Sequence, residues 1–392
     1  MLVFIVLLIC TYFYLYNPVF SVLPTADSLM LLYPLCLLYT KSEYRTGIKG
    51  IQNILKYWFI LLLYIAATTL MGGDQVYLYS WIGYLIETIL ITYFLSVIIV
   101  KNNINIVTIL LSASSVAATI SCLCLFVPVF DSFIRTIQIE YTEVNSQIVF
   151  RAYGLAQGLN FDYGVIQGLI FGIGLFNLKS NRWYILFIPF VIISILINAR
   201  TGFIVVILAI VSYFISNKSY KSLLAGFLIF SLLGLTYKSL KDLIPTDTYL
   251  WIEEFFLELG DAVFGTNNAQ YNTNETLREM LIWPNDIQSW IFGTGHSLFR
   301  VKSGAHSDVG YINQLAYGGL IYVCLLYYMS YQFIKKSKFY IPKYLFLFLI
   351  ISVMLVNLKG GALGNNGGIF KVIAIFSFTV FYKSNINSVI NK

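Results

Sequence analysis

Long apolar runs separated by short polar turns make up most of the chain. A run of roughly 15–25 apolar residues has the length of a helix that crosses a bilayer. The pattern predicts twelve such helices, over residues 2–20, 26–40, 57–71, 76–100, 104–130, 163–178, 183–198, 202–216, 221–237, 310–334, 339–357 and 366–382. The predicted fold is therefore an all-α polytopic membrane protein, with residues 1–392 as a single transmembrane domain.

Two longer polar segments interrupt this pattern, over residues 131–162 and 238–309. The second segment contains both histidines of the chain, His296 and His306, and ten of its eighteen acidic residues. A membrane protein that gathers its ionisable residues in one extramembrane loop is expected to work at the membrane surface. We therefore expect residues 238–309 to form a cap over the helices, and not a central channel through them.

The long segment contains its own amphipathic stretch, TYLWIEEFFLELGDAVF. This stretch predicts a helix whose apolar face is formed by Leu250, Trp251, Phe255, Phe256 and Leu259. Such a helix either lies in the membrane interface or packs on the rest of the loop.

Composition and charge place the chain in a membrane and orient it. Hydrophobic residues make up 58% of the sequence and charged residues 11%, whereas soluble domains carry about 25% charged residues. With a cytoplasmic N-terminus, the basic turns KNN, KSNR, NKSYK and KKSK all fall inside, as the positive-inside rule expects. Both termini are then cytoplasmic, and residues 131–162 and 238–309 face outward. The net charge of +7 reflects this topology and gives no support for nucleic-acid binding.

Three arginines of the outward segments are candidates for binding phosphate. Arg200 lies in a tight turn between two apolar runs, Arg278 in NETLREMLIWP on a predicted short helix, and Arg151 in QIVFRAYGLAQGLN. A guanidinium can hold a phosphate through two parallel hydrogen bonds, so three arginines would suit a diphosphate. The alternatives are a snorkelling or headgroup-binding role for Arg200, and surface or ion-paired roles for Arg278 and Arg151.

Three further residues are candidates for catalysis: His306, Asp308 and His296. His306 precedes Ser307 and Asp308 at the start of a predicted helix, and histidine is the side chain best suited to accept a proton near pH 7. Asp308 could orient the imidazole, although Ser307 or Asp308 could equally serve as the N-cap of that helix. His296 follows the glycine turn at residues 293–295 and is expected to be less firmly held.

Few other residues are candidates for catalysis, ligand binding or metal binding. Glu87 is a lone carboxylate within a predicted span, either functional or paired with a neighbouring helix, and Lys371 is expected to snorkel from the last span. The five cysteines lie in apolar runs, and the outer loops contain no HExxH or DxD pattern, so we expect no metal and no cofactor. Because every cytoplasmic loop is short, a sugar-transfer reaction would take its donor from a lipid carrier.

Together these residues resemble Wzy-type O-antigen polymerases, within the superfamily of O-antigen polymerases and ligases. The resemblance rests on the number of spans, the two outer loops, and Arg200-Thr201-Gly202 at a helix start. It also rests on an arginine-bearing segment that leads to Gly-Thr-Gly-His, and then to His-Ser-Asp-Val-Gly-Tyr-Ile before a helix with Gly318-Gly319. Ligases more often have His-Asn where this chain has His306-Ser307, which favours a polymerase.

The resemblance implies a GT-C-like bundle in the bacterial inner membrane that polymerises undecaprenyl-diphosphate-linked oligosaccharides at its periplasmic face. Arg200, Arg278 and His306 would then occupy the functional arginine and histidine positions of the superfamily, and Arg151 would belong to the other outer loop. The implied partners are the lipid-linked oligosaccharides, membrane lipids and a polysaccharide chain-length regulator. Two alternatives remain open, namely an O-antigen ligase that transfers the glycan to lipid A-core, and a flippase for lipid-linked oligosaccharides.

Overall fold

The computed structural model describes residues 2–18, 20, 44–138, 151–152, 154–156, 161–199, 201–218, 241, 244–265, 273–298, 306–364 and 368–390. Throughout these residues the regular structure is helical, apart from one isolated bridge between Phe20 and Gln138. The helices in chain order are α1 (Leu2–Tyr16), α2 (Tyr44–Leu70), α3 (Gln75–Lys101), α4 (Ile106–Phe126), α5 (Pro128–Ile137), α6 (Asp162–Phe176), α7 (Arg182–Asn198), α8 (Thr201–Asn217), α9 (Thr246–Phe264), α10 (Thr273–Glu279), α11 (Ile287–Phe292), α12 (Gly310–Lys335), α13 (Lys343–Val356) and α14 (Gly368–Ile390).

Most of the predicted spans are helices. The spans predicted at 26–40 and 221–237 lie outside the described residues. Nine of the other ten each coincide with one helix, and the tenth contains two. Within the described part of the chain, four helices are long and apolar enough to cross a membrane, namely Ile51–Leu70, Gln75–Lys101, Ile106–Phe126 and Gly310–Lys335. The protein is therefore an all-α membrane protein, and twelve crossings remain a prediction.

One predicted span is divided. Residues 104–130 were expected to form a single helix, but α4 ends at Phe126 and α5 begins at Pro128. Proline has no N–H to donate to the preceding turn, but is well tolerated as the first residue of a new helix. The break at Val127 is therefore set by Pro128.

The described residues form two compact units. The first comprises Met1–Leu29 and Val107–Thr273, and the second comprises Met30–Ile106 and Asn274–Lys392. The long segment of residues 238–309 is thus divided between them, since α9 belongs to the first unit and α11 to the second.

In the first unit, α6 packs against α7 and α8 through glycines. A Cβ atom at Gly164 would overlap the carbonyl oxygen of Ala199, and one at Gly202 would overlap the carbonyl oxygen of Gly164. Backbone therefore lies directly on backbone where α7 turns into α8. This contact fixes Ala199 and Thr201, which are both buried and which flank Arg200.

The amphipathic stretch does form a helix, α9, but the predicted apolar face is partly wrong. Tyr249 and Ile252 are buried, and the ring of Phe255 stacks on Phe203 of α8 with 5.0 Å between centroids. Leu250, expected on the apolar face, is 54% exposed. The helix is packed on the helices of its own unit, so its buried side is set by α7 and α8 as well as by its own periodicity.

In the second unit, α2 and α3 form a helical hairpin joined by the turn at residues 71–74. Trp58 Nε1 donates to Trp81 O, and Trp81 Nε1 donates to Trp58 O, each at 3.1 Å. This reciprocal pair holds the two helices side by side. Asp74 is the last residue of the turn and directly precedes α3.

The same unit contains a buried ion pair. Lys371 Nζ of α14 lies 3.0 Å from Glu87 Oε2 of α3, with side-chain exposures of 3% and 11%. The expectation that Lys371 snorkels is therefore wrong, and of the two alternatives for Glu87, the structure shows the paired one. Glu87 lies in a π-helical stretch of α3, Leu85–Leu90, an insertion that often accompanies functional sites.

Candidate functional site

The turn between α2 and α3 lies against the segment that contains His296. Asp74 N donates to Gly295 O at 2.8 Å, and Asp74 Oδ2 accepts from Ser297 N at 2.8 Å. Asp74 Oδ1 lies 3.0 Å from His296 Nδ1. The glycine turn is thus hydrogen-bonded on both sides of His296, contrary to the expectation of a loosely held turn.

The Gly-Thr-Gly segment also completes a broken helix. Gly319 of α12 has φ of 62° and ψ of −169°, which interrupts the helix after its first nine residues. Such a break removes the N–H partners of the preceding carbonyls. Thr294 N donates to Ala316 O at 2.7 Å and Gly295 N donates to Tyr317 O at 2.9 Å, so residues 294–295 replace the missing donors.

Two neighbouring helices hold this junction. Tyr64 Oη of α2 lies 3.0 Å from Phe292 O and 2.8 Å from Gly318 O. Asp286 caps α11, with Oδ1 accepting from Ser289 N at 2.8 Å and Oδ2 accepting from Ser289 Oγ at 2.7 Å. These two bonds hold the pKa of the Asp286 carboxyl below its ordinary value. The start of α11 is therefore fixed, and α11 leads directly into the glycine turn.

Replacing Gly319 with alanine is expected to destabilise the second unit. Its backbone conformation is essentially restricted to glycine, at a cost of about 1–3 kcal/mol for another residue, and a Cβ atom there would overlap Ile291 O. A matched control is Gly260→Ala in α9, where no atom lies within 4 Å and alanine favours the helix. Thermal unfolding in detergent should show a lower Tm for G319A alone, and equal Tm values would contradict this account.

His306 forms the second histidine–aspartate pair. Its Nε2 lies 2.9 Å from Asp308 Oδ1, and both side chains are about half exposed. Ser307, between them, donates from Oγ to Met280 O at 2.8 Å and from its backbone N to Leu298 O at 3.3 Å. The pair is therefore attached to the rest of the unit through Ser307.

The expected capping roles are wrong. The N-cap of α12 is Val309, whose side chain cannot cap, and its backbone N donates to Ser307 Oγ at 3.2 Å. Asp308 pairs with His306 instead of capping the helix. The predicted start of this span at residue 310 is right, but Ser307 forms a turn ahead of the helix and does not cap it.

The two histidine–aspartate pairs lie on adjoining segments. Ser297 Oγ lies 3.3 Å from Asn313 Oδ1. Asn313 Nδ2 donates to Ser307 O at 2.6 Å. Asn313, in the first turn of α12, therefore connects the residue after His296 to the residue after His306. The sequence placed both histidines in one loop, but Asp74 was missed, and its only signal was a single acidic residue in the short turn GGDQ.

The predicted arginines are distributed over the two units. Arg278 is exposed in the last turn of α10, two residues before Met280. Arg151 belongs to the first unit, where its guanidinium lies 4.6 Å from the ring centroid of Trp251. Arg200 lies outside the described residues. Within the described ranges, no three His, Cys, Asp or Glu side chains come together as a metal site would require.

These observations define a helical membrane protein with two histidine–aspartate pairs, one just before the broken helix α12 and one next to the segment that completes its break. Comparisons with protein-family models, with curated proteins and with solved structures found no match.

Proposed function

We propose that the chain is a membrane glycosyltransferase that polymerises undecaprenyl-diphosphate-linked repeat units into O-antigen or a related surface polysaccharide. The observation that carries this proposal is the pairing of both histidines of the chain with carboxylates on adjoining segments of a helical membrane protein. An exposed imidazole oriented by a carboxylate is suited to accept a proton from a hydroxyl. The residue pattern of the polymerase superfamily supplies the substrate class.

The proposed architecture is a GT-C-like bundle of twelve spans in the bacterial inner membrane, with both termini cytoplasmic. Residues 131–162 and 238–309 would be periplasmic, so that the histidine pairs face the periplasm. The acidic and basic residues of the chain are divided in the way that this orientation requires.

In the proposed reaction, a growing chain on undecaprenyl diphosphate is the donor and a sugar hydroxyl of a new lipid-linked unit is the acceptor. His306, oriented by Asp308, accepts the hydroxyl proton while the oxygen attacks the anomeric carbon. The bond to the diphosphate breaks and its electron pair leaves with the diphosphate oxygen. Arg200, Arg278 and Arg151 would bind the diphosphate and stabilise the charge that builds on it.

A topology experiment tests the orientation. Reporters fused near Lys218 and Lys336 are expected to read cytoplasmic, and a fusion near Asn267 is expected to read periplasmic, because basic turns remain inside. Paired alkaline phosphatase and fluorescent protein fusions provide the measurement. A periplasmic reading at Lys336 would contradict the orientation and the location of the active face.

Arg278→Lys is expected to reduce polymer formation strongly at normal protein levels. The exposed guanidinium would lose its two-bond fork to phosphate, although the charge is kept. A matched control is Arg135→Lys, because Arg135 already pairs with Asp131 at 2.5 Å within α5. Polymer length and amount on gels provide the measurement, and wild-type polymer from both Arg278→Lys and Arg200→Lys would contradict phosphate binding by these arginines.

The surface polysaccharide of a deletion strain distinguishes the candidate functions. Single-repeat caps on lipid A-core indicate a polymerase, and lipid-linked polymer that is not transferred indicates a ligase. Absence of both products indicates a flippase. The buried pair of Glu87 and Lys371 is the one observation that favours a transporter, since such proteins use intramembrane charges.

A further inference from the structure

The pair of Asp74 and His296 differs from the pair of Asp308 and His306 in which ring nitrogen it uses. Asp74 bonds Nδ1 of His296, whereas Asp308 bonds Nε2 of His306. A carboxylate at Nδ1 holds a proton there and leaves Nε2 as the nitrogen that can meet a substrate. The side chain of His296 is 59% exposed, so a substrate group can reach the ring.

Asp74 makes several hydrogen bonds that fix its position against the segment containing His296. The carboxylate bonds the His296 ring and the Ser297 amide at once, and the Asp74 amide bonds Gly295 O. These partners are more than 220 residues away in sequence. Gly73, next to Asp74, also packs tightly on Gly295, where an added Cβ atom would lie 3.0 Å from the Gly295 carbonyl oxygen. The backbone on both sides of His296 is therefore held, and the carboxylate of Asp74 orients the imidazole.

The proposed reaction involves proton transfer at two positions, the acceptor hydroxyl and the departing diphosphate. The acceptor hydroxyl loses one as its oxygen bonds the anomeric carbon, and the departing diphosphate oxygen gains charge as its bond to that carbon breaks. If one residue accepts the hydroxyl proton and another donates a proton to the diphosphate, the number of protons on the protein is unchanged. The two histidines are on adjoining segments, linked through Ser297, Asn313 and Ser307.

We infer that His296 is a second catalytic residue, which donates from Nε2 to the departing diphosphate while His306 accepts the proton of the hydroxyl. Asp74 is its positioning residue, and supplies the counter-ion when both ring nitrogens of His296 carry protons. This inference rests on the proposed function. It assigns the diphosphate end of the substrate to His296 and the acceptor end to His306.

The chain has only two histidines, which makes a direct test possible. Inorganic pyrophosphate is titrated into the purified full-length protein labelled with ¹⁵N in histidine, and His306→Ala assigns the two sets of ring signals. The ring nitrogens of His296 are expected to shift while those of His306 do not. Asp74→Asn should weaken this response, whereas Asp247→Asn, the same change at an exposed carboxylate in the first turn of α9, should keep it.

Activity of the same variants provides the second readout. On lipid-linked single units extracted from the deletion strain, His296→Ala should lower kcat with little change in KM, and added imidazole should restore part of the rate. An unshifted His296 ring, or a slow His296→Ala protein that imidazole does not rescue, would overturn this role alone. A wild-type protein that forms no polymer from these units would instead overturn the proposed function.

Discussion

His306→Ala is expected to abolish polymer formation and to leave lipid-linked single units accumulating. General base catalysis contributes about 10²–10⁴-fold to a rate, and without His306 the hydroxyl has no positioned acceptor for its proton. Because His306 is about half exposed and is attached to the unit through Ser307, its truncation should leave the fold intact. The measurement is the conversion of lipid-linked units to polymer by the purified variant.

The matched comparison is His296→Ala, which is expected to slow the reaction without abolishing it. Asp308→Asn should have an intermediate effect, since the amide can still contact the ring but carries no charge. A His306→Ala protein that forms polymer at the wild-type rate would move the base to His296. It would also leave open a reaction in which stabilisation of the diphosphate alone suffices.

Lys371→Met is expected to destabilise the second unit by about 3–5 kcal/mol, because it leaves the Glu87 carboxylate buried without its cation. The double variant Lys371→Met with Glu87→Gln should recover much of this loss, since no uncompensated charge then remains. Lys383→Met is the control on the same helix, because Lys383 is exposed. Unfolding followed in a mild detergent provides the measurement. A double variant as unstable as the single one would contradict this account of the pair.

Much of the helical structure was predictable because it depends on local sequence. Nine predicted spans each coincide with one helix, since a run of apolar residues must satisfy its own backbone groups when it crosses a membrane. The break before Pro128 was missed, although its cause is local, because proline acts on its own helix. The break at Gly319 could not be predicted, since glycine is compatible with a continuous helix and only the contacts with α11 require the left-handed conformation.

The histidines of the candidate site could be predicted from the sequence, but only one of the two histidine–aspartate pairs could. His306 and Asp308 are two residues apart, so their proximity could be proposed from sequence. Asp74 and His296 come together only because α2, α3 and α12 pack in one unit, and no local pattern reports such a contact. The expectation that His296 is loosely held failed for this reason, as its turn is held by a distant segment.

The sequence by itself determined that the chain is a helical membrane protein, where most of its described helices lie, and that residues 238–309 carry both histidines and ten of the eighteen acidic residues. These properties follow from hydrophobicity and charge, which act on each segment separately. Only the tertiary structure decided that Glu87 pairs with Lys371, that Asp74 holds His296, and that residues 294–295 complete the broken helix. Each of these depends on backbone and side chains from distant segments meeting within hydrogen-bond distance, and packing of whole helices sets that distance.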